Sequence, residues 1–202
     1  MVNPRRLLAL GGIGGPLAFV TAWATLGART KNYAPTHDAI SQLAAVGAPT
    51  RAEMTGGFVA FAVGVSLYAL AAREQLSPRV AAAAAANGVF TLGVAALPLE
   101  GFGGSAGHAA AAAAAYASLA TLPTVGASAF SEDGHVTAAR LSRLAALAIA
   151  VALVLSIVSP TRTGLFQRLG LSLGDVWIVA TSIWMLRGQS LSDGRGASPA
   201  AR

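Results

Sequence analysis

The chain has 202 residues, 54% of them hydrophobic and 11% charged, with no cysteine and a net charge of +6; an ordinary soluble domain has roughly a quarter of its residues charged. With a mean hydropathy of +0.61, this composition excludes a water-soluble domain, disulfides, thiolate metal sites and cysteine nucleophiles. The basic residues lie singly or in pairs beside apolar runs, as topology determinants do, which excludes a nucleic-acid partner as well.

About 20 apolar residues cross a hydrocarbon layer of about 30 Å, and the chain offers six such runs within a single transmembrane domain, residues 1–187. Arg5 and Arg6 introduce span one, residues 7–28, broken only by glycines and Pro16, which spanning helices tolerate. A basic start and a small-residue end would also suit a signal peptide, but the run is longer than an h-region and the rest of the chain is itself membrane-embedded. Within it, Gly11 and Gly15 form a small-xxx-small pair that lets a second helix approach closely.

The polar stretch from Asn32 to Leu43 follows and carries most of the reactive side chains of the first half. Pro35 and Thr36 predict the start of a short amphipathic helix that runs to about Val46, before Gly47 and Pro49. On a 3.6-residue period, Asp38, Ser41, Gln42 and Ala45 share one face, and Ile40, Leu43 and Ala44 share the other. Two readings fit this pattern. One is a surface helix with its apolar face on lipid or on the spans; the other is a capped connection whose polar groups satisfy its own backbone.

Span two is predicted over 54–72 and span three over 80–99, with Asn87 near its middle as a group for hydrogen bonding between helices. Span four covers 108–128 with Pro123 inside it, span five 144–158 and span six 168–186. The alanine runs 81–86 and 109–115 point to close helix packing. The tail, 188–202, is small and polar and reads as a disordered cytoplasmic segment. The fold class is therefore all-α, a polytopic membrane helix bundle with six transmembrane helices and a short amphipathic helix in the first outer loop.

Lys and Arg number nine at the amino end, in loops two and four and in the tail, and five in loops one, three and five. The positive-inside rule then predicts a multi-pass plasma-membrane protein with both termini cytoplasmic. His37, Asp38, Ser41, Gln42, Glu100, His108, Gln167 and Arg168 gather on the outer face. Asp175 lies two turns below Arg168 on nearly the same helical face, in the outer part of the membrane. An ionisable residue within a span marks a functional site and calls for a partner, here Arg162, Arg168 or a histidine. The alternative is a purely structural pair that locks span six against its neighbours.

Tyr33 to Pro49, Y-A-P-T-H-D-A-I-S-Q-L-A-A-V-G-A-P, resembles the signature of the domain of unknown function 998 family of small prokaryotic membrane proteins. Gly15-Pro16, His108 at the start of span four, and Gly164-Leu165-Phe166-Gln167-Arg168 with the later Trp177 are similar too. The resemblance covers nearly the whole chain and implies a six-span bundle whose activity is unassigned. The chain departs from the pattern at Gln42, where Glu is frequent, which removes a carboxylate, and at Ala44, where glycine is usual. More distantly, the Ile-Ser stretch is similar to six-span eukaryotic families linked to autophagy and lipid-anchor remodelling, a lean towards lipids.

These residues predict a polar outer pocket for a lipid or small molecule, built from Tyr33, His37, Asp38, Ser41, Gln42, Glu100, His108, Gln167, Arg168, Asp175 and Trp177. Arg168 would meet a phosphate head group, with Phe166 and Trp177 flanking the chain. A metal-dependent hydrolase on His37, Asp38, Glu100 and His108 is an alternative, although no H-x-x-x-H or H-E-x-x-H spacing supports it. A proton- or ion-coupled carrier through Asp175 is another. Haem ligation would need a second span histidine, and a Ser41–His108 nucleophile has no motif around it. The reading leans away from an enzyme, assigns no catalytic residue, metal or cofactor, and expects membrane lipids, a membrane-protein partner or a second copy as partners.

Overall fold

A computed structural model describes residues 7–99 and 105–191. Six long helices account for most of them: α1 (Gly11–Arg29), α2 (Arg51–Gln75), α3 (Pro78–Ala96), α4 (Ala106–Glu132), α5 (Val136–Val158) and α6 (Thr163–Leu186). Short 3-10 turns, Leu8–Leu10 and Pro160–Arg162, lead into α1 and α6, and a third, Ile40–Ala44, lies in the first loop. All six helices are long and apolar enough to cross a membrane, and each packs on the next in sequence. In α2 and α6, 56% and 44% of the apolar window is buried inside the protein, against 22% in α4 and α5. The centre of the bundle is therefore α2 and α6, and lipid-facing side chains such as Leu144, Leu147, Ile157 and Val176 cover the rim.

Close approach of backbones explains the small-residue content. A Cβ at Gly64 of α2 would come within 2.6 Å of the Gly11 carbonyl oxygen and the Gly15 Cα of α1, so the expected small-xxx-small pair is indeed where α1 crosses α2. Lipid tails are as apolar as leucine, so such crossings hold through van der Waals packing and interhelical hydrogen bonds. The bonds are present. Tyr68 and Thr181 hydroxyls meet at 2.9 Å between α2 and α6. Asn87 Nδ2 donates to Ala115 O at 2.8 Å and to Ser118 Oγ at 3.2 Å, tying α3 to α4 as a mid-span asparagine should.

Several boundaries differ from the expected spans. α4 runs on through Glu132 and α5 starts at Val136, so most of the polar segment 131–143 is helical, with Gly134 at φ +80° turning the chain between them. α3 ends at Ala96, before Pro98. The tail does not loosen at Gly188: Leu191 is buried and its N–H donates to Gln75 O at 2.9 Å. The rest of the expected tail, 192–202, lies outside the described residues, as do Arg5, Arg6 and Glu100.

The predicted amphipathic helix from Pro35 to Val46 is replaced by a turn at 35–38 and a five-residue 3-10 helix, Ile40–Ala44. With three residues per turn, i and i+3 eclipse. Ile40 stacks with Leu43 and Ser41 with Ala44, and all four are buried, while Gln42 faces away from the bundle. Ser41 thus leaves the polar face that an α-helical period assigned to it and points into the protein.

Candidate functional site

The first loop is held at one end of the bundle by the start of α6. The first N–H groups of a helix have no partner within it, and here those of Gly164 and Leu165 donate to His37 O at 3.1 Å and Thr36 O at 2.9 Å. A Cβ on Gly164 would run into the carbonyl oxygens of Pro35 and Asp38. Gln167 Oε1 accepts the Ile40 amide at 2.7 Å.

Arg168 completes the attachment. Its Nη1 donates to Pro35 O, to Asp38 O at 2.9 Å and to Gly164 O at 2.9 Å, and Nη2 donates to the Tyr33 hydroxyl. The guanidinium carbon sits 5.3 Å from the Trp23 ring centroid and 5.5 Å from that of Tyr33. A planar cation between two aromatic faces and a cluster of carbonyls is well suited to partial burial, and Arg168 is 9% exposed. Asn32, at φ +61°, turns the chain so that Tyr33 reaches it; Asn tolerates this left-handed conformation better than most residues.

Around this anchor, Asp38 Oδ2 accepts the Ala34 amide at 2.7 Å and Oδ1 lies 2.9 Å from His37 Nδ1. Burial pushes the Asp38 carboxyl up, but the hydrogen bonds from His37 and Ala34 and the charge of Arg168 outweigh it, and the group sits below its ordinary 3.8. Burial also holds the Tyr33 phenol above its ordinary 10.0 against the pull of Arg168. Both residues therefore act within the loop, as its own cap and its own brace.

Under the loop, between the spans, is a chamber of ≈ 50 Å³. Ile40 and Ser41 roof it. Phe19 of α1 and Phe58 and Phe61 of α2 form one wall, with Val94, Leu119 and Leu171 across from them. Its polar groups come from different helices: Asn87 and Thr91 of α3, His108 and Tyr116 of α4, and Gln167 of α6. His108 Nδ1 lies 2.6 Å from Leu97 O. A carbonyl only accepts, so Nδ1 carries a proton and donates it to Leu97 O. Asn87 Oδ1 is buried without a hydrogen-bond partner among the described residues.

Above the loop, Lys31, Asn32, Asp38, Gln42 and Thr50 border an open depression of ≈ 470 Å³ that ends at Leu99. Val46 N donates to Leu99 O at 2.8 Å, which joins loop one to the chain just after α3, and Thr50 Oγ1 donates to Leu43 O at 2.8 Å within loop one.

The predicted site residues thus fall into separate places. Tyr33, Asp38, Gln167 and Arg168 make the anchor, Ser41 and His108 join Gln167 at the chamber, and His37 and Gln42 are exposed at the surface. The expected partner of Asp175 does not materialise: Arg168 turns away towards the loop, and both Asp175 oxygens are buried with no hydrogen-bond partner among the described residues. Asp175 also lies deeper than expected, because α6 begins at Thr163 and places it at mid-helix. Trp177 is remote from the loop, with Nε1 donating to Ser142 Oγ at 3.0 Å and its ring against Gly126. Among the described residues no three His, Asp or Glu side chains are grouped to hold a metal ion.

Sequence reasoning missed Trp23, Thr91 and Tyr116 as members of these clusters. Two had a signal. Thr91 follows Asn87 by one turn on the same face, and Tyr116 is the one bulky side chain after seven consecutive alanines.

A six-helix bundle with polar groups buried between its spans defines a multi-pass integral membrane protein. Residues 13–184 match the family described as "Protein of unknown function (DUF998)", and the chain belongs to that family. No curated protein and no solved structure matches it.

Proposed function

We propose that this protein is a plasma-membrane binding protein, with both termini in the cytoplasm, that takes a small amphiphilic molecule or the end of a lipid into the chamber beneath loop one. The observation that carries the reading is the convergence on one small, mainly apolar space of polar side chains from loop one, α3, α4 and α6. Ligand sites have this composition, with apolar walls and a few placed polar groups. Asn87 Oδ1, buried and without a partner among the described residues, supplies an acceptor that a ligand or water would satisfy; leaving it bare costs about 1–3 kcal/mol. A volume of ≈ 50 Å³ corresponds to about three to five waters, at 10–15 Å³ each, which suits a small polar terminus better than a whole lipid. Arg168 enters this reading as the residue that holds the roof, because its Nη donors are engaged by loop one and Tyr33.

Native mass spectrometry of the protein extracted in mild detergent, comparing wild type with Asn87→Leu and with Gln42→Ala, tests it. A co-purifying lipid or metabolite that is retained with the exposed Gln42 variant and lost with the chamber variant supports the reading. The absence of any bound species from all three, each shown to be folded, refutes it.

A further inference from the structure

Asp175 is 5% exposed, and both its oxygens lack a partner among the described residues. At 1.5 Å per residue it lies about 18 Å along α6 from Thr163 and about 16 Å from Leu186, the middle of a membrane crossing. A bare ionised carboxylate there would cost far more than any packing gain returns, so something positive accompanies it.

The elements packed on α6 bring no fixed charge to that level. α1 carries none before Arg29, and α5 none between Leu144 and Val158. α2 offers Tyr68, already bonded to Thr181, and its charged residues lie at its ends. α4 offers His108 and Tyr116, both at the chamber. On α6 itself, Arg168 is turned to the loop.

The stripe of α6 that carries Asp175 continues from the chamber towards α1. Leu171, Asp175, Ile178 and Ser182 follow one another at helical spacing on one face of α6. Leu171 borders the chamber, and Ile178 and Ser182 abut α1 at Gly12. Ser182 Oγ is buried as well and has no hydrogen-bond partner among the described residues. Pro16, inside α1, has no N–H to give the Gly12 carbonyl one turn back, which leaves that oxygen without its usual helical donor.

We propose that Asp175 is an exchangeable binding site for one monovalent cation, a proton or Na⁺, in the α1–α6 seam below the chamber. The site stands on this seam alone and does not depend on what the chamber holds.

The test is labelling of the full-length protein in detergent with dicyclohexylcarbodiimide, which attacks protonated carboxyls in apolar surroundings, read by intact mass and peptide mapping. The expected result is one label per chain at Asp175, absent from Asp175→Asn and kept in Asp175→Glu. Its rate falls about tenfold per pH unit once the acid ionises. Protection by sodium chloride, but not by equal choline chloride, at fixed pH identifies Na⁺; pH dependence without sodium protection identifies the proton. A folded protein that does not label at Asp175 at any pH overturns the proposal. So does a rate that neither pH nor Na⁺ changes, since a permanently neutral acid that only packs would behave that way.

Discussion

Arg168 and Tyr33 hold each other in two ways: the guanidinium donates through Nη2 to the phenol oxygen, and its carbon lies 5.5 Å from the centre of the same ring. The pair joins the first loop to the last span. Replacing Arg168 by Ala removes the donor shared by Pro35, Asp38 and Gly164, and unsatisfied buried acceptors cost about 1–3 kcal/mol each. We expect Arg168→Ala to lose about 1–3 kcal/mol and to open residues 30–50 to protease. Arg168→Lys should recover only part, because an ammonium lacks the planar fork. Gly164→Ala should expose the same segment. Limited proteolysis alongside thermal unfolding in detergent checks all three.

The α1–α2 crossing makes a sharper steric prediction. Gly64→Ala places a Cβ against backbone atoms of Gly11 and Gly15 that cannot rotate away, and overpacking of this kind costs about 1–3 kcal/mol. Gly14→Ala, with open space at its Cβ, should be neutral. Thermal midpoints of the two variants measured side by side decide it.

Trp177 and Ser142 join α6 to α5 through a single buried bond. Ser142→Ala strands the indole N–H, and interhelical hydrogen bonds in membranes average about 0.6 kcal/mol with a ceiling near 1.7. The expected loss is therefore about 1 kcal/mol, with a change in tryptophan fluorescence. A larger loss would mean that Ser142 has a second role.

Loop one should respond to acid. Because the Asp38 carboxyl is lowered from 3.8, ionised Asp38 contributes stability that is fully present above the unfolded value. That contribution is lost as the pH falls below 3.8, through the folded value. Hydrogen exchange of the Ala34 amide, which Oδ2 accepts, should accelerate in that window in wild type. In Asp38→Ala, which has no acceptor, it should be fast throughout, with no acid step.

Much of this architecture was legible because a bilayer leaves a chain few choices. Length and hydropathy define α1 to α6, since backbone in hydrocarbon must be helical or closed into a barrel, and the stretch Tyr33–Pro49 carries the family resemblance. Facing was harder. Arg168 and Asp175 share a helical face, which suggested a pair, yet the arginine is long enough to reach back to carbonyls 130 and 133 positions earlier in sequence. No periodicity within α6 encodes that. Trp177 likewise looked like part of the loop-one site until neighbouring helices placed Gly126 and Ser142 against it. Ser41 was misplaced because four or five residues show too little of a period to separate three per turn from 3.6.

The dependence of loop one on α6 has a consequence for biogenesis. The loop leaves the ribosome early, but the amides of Gly164 and Leu165 and the side chains of Gln167 and Arg168 that hold it are made about 130 residues later, on the order of ten seconds at cellular synthesis rates. Until then its carbonyls are without these partners, and the chamber, which Gln167 and Leu171 of α6 help to line, does not yet exist. The first loop therefore takes its place only after the last helix has been made, and a chain truncated before α6 would lack every bond to α6 that holds it there.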